Sequence, residues 1–150
     1  MNFICEVLLQ VSAALLGVFA GAMLTEGMVL VPYWRSLSPA AFFGWYAAND
    51  RRLLRYFGHL TSVTALVVVA AAILALWTGH PATRHAAASA ALMIAVVASF
   101  PLYFKRANAS FAAASIDAAA VATELARWAA WHWVRTALSV IALFFAMAAR

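Results

Sequence analysis

Charge is scarce in this chain. Asp, Glu, Lys and Arg together make up 10% of its 150 residues, and 67% are hydrophobic. An average soluble domain carries about 25% charged residues. So few charges cannot coat a water-soluble globule of this size, which excludes the soluble classes and points to lipid as the solvent. Cysteine is nearly absent as well. The single Cys5 cannot form an internal disulfide, and no cysteine cluster offers a metal site. There is no internal repeat. What the chain does contain is long apolar runs: about Phe3 to Val31, Phe57 to Trp77, Ala86 to Phe104, and Trp128 to Ala149. Each approaches the roughly 20 residues that cross a bilayer core. The length suits one domain, 1–150. The expected fold is all-α, an integral membrane four-helix bundle whose partner is the lipid bilayer.

The first run carries Glu6 rather than lysines near its amino end and is too long for the core of a cleaved leader, so it reads as a spanning helix. The net charge of +5 is a matter of topology, not a nucleic-acid footprint. With four spans, Arg35, Arg51, Arg52, Arg55, Lys105, Arg106, Arg127 and Arg135 fall on one side, and Arg84 and Arg150 on the other. The positive-inside rule makes the rich side cytoplasmic and places both termini outside, periplasmic in a bacterial inner membrane.

The connections on the rich side also carry pattern. Pro32-Tyr33-Trp34 reads as an interfacial stop with aromatic anchors, and Trp34, Trp77 and Trp133 read as belt residues. Ser38-Pro39 is a helix start, so a short interfacial helix is expected between the first two spans. The alanine-rich stretch before Trp128 predicts that the fourth helix extends into the cytoplasm. Gly17 and Gly21 form a small-residue pattern suited to close helix approach, including a homo-oligomer contact.

Polar residues inside or beside the spans gather toward the same membrane face: Glu26, His59, Asn108, Glu124, His132 and Arg135. Helical rise of about 1.5 Å per residue lets Glu26, His59 and His132 share one depth. On the fourth helix Glu124, Trp128, Trp131, His132 and Arg135 share one stripe, with Ser139 deeper and Trp133 opposite. Ionisable groups inside a membrane mark functional sites by default. The plainer reading is a structural clasp in which Arg135 pairs with Glu124 or snorkels to the headgroups.

The chain resembles the anthrone oxygenase-like family of small four-helix membrane proteins. The residues that carry the resemblance are Gly21, Pro32 and Trp34; Pro101 and Asn108; and Trp128, Trp131, His132, Arg135 and Thr136 at the opening of the fourth span. It covers nearly the whole length. It implies four transmembrane helices and oxidation of an anthrone to an anthraquinone by O2 without an obvious cofactor. Glu26 and His59 stand outside the family pattern.

The residues suggest how such chemistry would run. His132 would take a proton from the activated methylene, Arg135 would stabilise the enolate oxygen, and Glu26 or Glu124 would orient or reprotonate the histidine. Trp128 and Trp131 would offer flat surfaces to a hydrophobic substrate, with Asn108 and Glu124 beside them. Three other readings stay open. Glu26, His59 and His132 match a two-histidine, one-carboxylate set for a single transition-metal ion. His59 and His132 would serve as axial ligands of a haem b. A non-enzymatic scaffold would use the same groups to fix helix register.

Overall fold

The computed structural model describes residues 2–149, and every regular element among them is helical. The first rod is α1 (Asn2–Thr25), a π-helical turn (Glu26–Leu30) and α2 (Val31–Ser36). The second is α3 (Pro39–Trp77). The third is α4 (Thr83–Ser99), a second π turn (Phe100–Phe104) and α5 (Lys105–Ala112). The fourth is a 3-10 turn (Ala118–Ala120) and α6 (Val121–Ala148). All four rods are long and apolar enough to cross a membrane. In the bundle α1 packs on α3 and α6, and α4 packs on the same two, so each rod lies beside its neighbours in sequence. Arg150, expected on the sparsely charged side, lies outside the described residues.

Two cores divide the bundle by height. One holds Cys5, Leu9, Leu16, Ala75, Ala86, Met93 and Ala146 at the end where α1 begins and α6 finishes. There the inner faces are mainly Ala and Leu, and Ser89 ties α4 to α6 through the Ala142 carbonyl at 2.9 Å. The other core is aromatic: Trp34, Phe42, Tyr46, Phe104, Phe111 and Trp128 pack edge-on at the basic end. Edge-to-face contacts of this kind each contribute about 0.5–1.5 kcal/mol beyond area burial.

Three expectations are corrected here. The separate interfacial helix is instead the first part of α3, which runs 39 residues without a break. Ser38 does cap it, its side chain accepting from the Ala41 N–H at 3.3 Å, but no proline or helix-ending glycine follows before Phe57. At roughly 1.5 Å per residue α3 outreaches a ~30 Å hydrocarbon core. Next, Pro32 does not stop the first helix, because the π turn before it absorbs the missing N–H and the chain stays helical to Ser36. Finally, Trp34 is no belt residue: it is buried against Trp45, Tyr46 and Trp128. Trp77 and Trp133 are exposed as expected, and α6 does extend well beyond its apolar run.

Both bends after the second and third rods use the same device. Gly79 adopts φ +63 while the His80 N–H reaches the Ala75 carbonyl and the Gly79 N–H reaches Leu76, a Schellman closure. The third rod repeats it with Ala114 at φ 47, Ser115 N–H on Ser110 and Ala114 N–H on Phe111. An added Cβ on Gly17 or Gly21 meets nothing within 4 Å, so no other helix among the described residues packs onto that pattern.

Candidate functional site

Three of the sequence-derived candidates meet in the interior. Glu26 opens the first π turn, and its Oε2 lies 3.4 Å from Arg135 Nη2 and 3.4 Å from His132 Nδ1. Arg135 Nη2 lies 3.2 Å from His132 Nδ1, closing a triangle. The side chains are 5%, 0% and 12% exposed for Glu26, His132 and Arg135 respectively. His132 Nε2 is 2.8 Å from the Met23 carbonyl, which can only accept, so Nε2 carries the proton. The Nδ1 lone pair therefore faces the guanidinium, and the ring holds Arg135 toward Glu26.

Aromatic rings fix this triangle in place. Trp128 stacks on His132 at 5.1 Å and 9°, and its Nε1 donates to Asn108 Oδ1 at 2.9 Å. The Arg135 guanidinium lies 4.2 Å above the Phe104 ring, a cation–π contact. Phe104 closes the second π turn as Glu26 opens the first, so both irregular turns deliver a side chain to Arg135. Single π turns inside helices are frequent at functional sites. Pro101 explains the second: it cannot donate to Val97, whose carbonyl is taken by the Phe100 N–H instead.

Beside the triangle lies a cavity of about 620 Å³, bordered by Glu26, Tyr46, Asp50, Phe57, Phe100, Phe104, Lys105, Asn108, Trp128 and Arg135 among others. That volume suits a small organic ligand, for which pockets of about 300–1,000 Å³ are usual. Arg135 Nε is buried without a hydrogen-bond partner among the described residues. A buried donor left unpaired costs about 1–3 kcal/mol.

The remaining candidates sit elsewhere. His59 is exposed on the outer side of α3, bonded at 2.6 Å to the Arg55 carbonyl in a shallow hollow with Arg52 and Tyr56. Glu26, His59 and His132 thus do not form one ligand set, and no group of three such side chains among the described residues could hold a metal ion. The axial pair expected for a haem fails for the same reason, and both His132 nitrogens are already engaged. Glu124 accepts from Tyr103 at 2.9 Å and from Arg127 at 3.0 Å, so it neither pairs with Arg135 nor reaches the histidine. Trp131 stacks on Tyr103 at 5.4 Å and 12° and does not border the cavity. His132 does not border it either, which makes it a positioning residue rather than the base.

Sequence reasoning missed Tyr46, Asp50, Phe104 and Lys105 on the cavity wall, and Gly27. A Cβ on Gly27 would stand 3.2 Å from the His132 ring and from Trp133, so the first rod comes close here and a side chain would press on both rings. A signal for part of this was present: a proline inside an unbroken apolar run leaves a carbonyl without its donor, and the helix must deform nearby.

Fold and site define a four-helix bundle of membrane type, with a buried carboxylate, imidazole and guanidinium beside an amphipathic cavity. No protein-family model, no curated protein and no solved structure matches this chain.

Proposed function

We propose that this chain is a membrane-embedded oxygenase that oxidises a hydrophobic, enolisable or phenolic ring compound of the anthrone kind with O2. The observation that carries this reading is the pairing of two residues that border one cavity: Glu26, a carboxylate, and Arg135, a guanidinium, whose side chains lie 3.4 Å apart. A base and a fixed cation side by side are what carbanion formation next to a carbonyl needs.

Glu26 takes a proton from the activated methylene, and the charge moves onto the carbonyl oxygen, which the Arg135 guanidinium meets. The carbanion carbon bonds to O2, and Glu26 returns its proton to the far oxygen, giving a hydroperoxide. Loss of the second methylene proton with cleavage of the O–O bond releases water and leaves a new carbonyl. One oxygen atom enters the product and the other leaves as water. The substrate loses four electrons and O2 gains four, so no further reductant is needed. His132 and Phe104 hold the guanidinium in place, and Trp128 forms a flat wall. The basic end of the bundle, and hence the site, faces the cytoplasm in this reading.

The test is O2 uptake by purified protein with anthrone, above the spontaneous rate. Glu26→Gln and Arg135→Leu should each lower turnover by about 100- to 10,000-fold, the usual loss for a positioned acid or base. Arg135→Lys keeps the charge and should retain part of the activity, and Trp131→Ala should leave it intact. Wild-type turnover in both Glu26→Gln and Arg135→Leu would defeat the proposal.

A further inference from the structure

The cavity is a groove rather than a bowl. Its α3 wall steps from Tyr46 through Asp50, Leu54 and Gly58 to Ser62, and the antiparallel third rod matches it from Ala112 back to Val96. At roughly 1.5 Å per residue the stripe is about 24 Å long, much longer than a fused three-ring system. Polarity is divided along it. Tyr46, Asp50, Lys105 and Asn108 belong to the half nearer the basic end, with Glu26 and Arg135 reaching in from the other two rods. Phe57, Gly58, Val97 and Phe100 form the other half, which is apolar up to Thr61 and Ser62. The groove is not sealed: Leu54, at its middle, and Val97, in its apolar half, line it yet are 57% and 40% exposed, so the seam between α3 and α4 opens to the outside of the bundle.

From this shape we infer that the ligand is a two-part amphiphile, a ring head bearing an acidic or enolisable oxygen at Arg135 and a long hydrocarbon chain lying in the apolar half, entering sideways between α3 and α4. The inference rests on the proposed function for the head group and adds the chain and the route. A bilayer supplies little hydrophobic gain for moving a chain from lipid into protein. The groove therefore acts as a selector of shape and alignment: a chain that fits it holds the ring against Arg135. Gly58 lines the groove and is the place to block it, because a Cβ there meets nothing within 4 Å and a larger side chain has open space to fill.

The probe is a phenol with a para-dodecyl chain ending in a diazirine, photolysed with the full-length protein in lipid nanodiscs. Labelled peptides should cover 57–62 and 96–101, and excess dodecylphenol should compete. Gly58→Phe, or Gly58→Leu where the larger residue harms folding, should cut this labelling by about tenfold by direct occlusion. Leu66→Phe, on the outer face of the same helix, should not change it. Labelling spread over outward residues such as Leu66 and Ile73, unaltered by either Gly58 variant, overturns the inference. Labelling needs no turnover, so failure of anthrone oxidation with groove labelling intact refutes the reaction and leaves the amphiphile site standing. Oxidation with scattered labelling does the reverse.

Discussion

Removing the cation from the buried triangle is the sharpest physical perturbation available. Arg135→Leu leaves Glu26, 4% exposed, as a carboxylate with no countercharge. Breaking a buried ion pair by deleting one partner costs about 3–5 kcal/mol. The 3.4 Å separation is longer than the ~2.7–2.9 Å of tight charge-assisted bonds, which favours the lower figure, about 3 kcal/mol. Glu26→Gln strands the guanidinium instead, but Phe104 beneath it contributes about 0.5–2 kcal/mol, so a loss of about 2 kcal/mol is expected. The double variant leaves no bare charge. Its loss should fall short of the sum of the single losses by about 2–3 kcal/mol. Reversible unfolding of the four proteins in mixed micelles with rising sodium dodecyl sulfate, followed by tryptophan fluorescence, measures all the corners. Additivity to within about 0.5 kcal/mol would show that the two residues do not depend on each other and would refute the triangle as an energetic unit.

Single positions give further expected outcomes. Gly27→Ala should destabilise by about 1–3 kcal/mol through overpacking against His132 and Trp133, whereas Gly44→Ala, into open space in α3, should gain about 0.5–1 kcal/mol; the same micelle unfolding separates them. Ala114→Gly should relieve the left-handed Schellman position and stabilise by up to about 1 kcal/mol, read as a higher midpoint. Reporter fusions should find the connection around Asn49 on the cytoplasmic side and both termini outside, and a cytoplasmic carboxyl terminus would reverse the orientation of the site.

Much of the fold was legible because lipid simplifies the code: long apolar runs separated by turns can only become rods. The rotational stripe on α6 also held for Trp128, His132, Arg135 and Ser139, all turned inward or nearly so. It failed for Glu124 and Trp131, at the stripe's margin, where Tyr103 of the third rod offered a hydrogen bond and a stacking face. Glu26 was recognised from its cost alone, since a carboxylate inside an apolar run needs a partner. Its partner could not be read, because sequence gives depth but not rotation. His59 shows the same limit: it lay at a plausible height, yet on the outer face of α3. The cavity was invisible for a deeper reason. A groove is made by what two rods fail to fill, and no local pattern records that.

The π turns give the first and third rods a phase as well as a sequence. Each holds the surplus residue that a widened turn accommodates, and each residue added to or removed from a helix rotates the remainder of the rod by about 100°. Deleting one residue from Met28–Leu30 would let the rod close up as an ordinary helix and leave Trp34 facing the aromatic core, whereas the same deletion in the regular turns of α1 would rotate it away. Deletion of Leu102 would likewise close the second turn and keep α5 in phase. Met28, Val29 and Leu102 themselves are exposed, so substitutions there touch little of the interior. At these points the protein should tolerate the loss of one residue better than it does anywhere in the regular turns of the same rods.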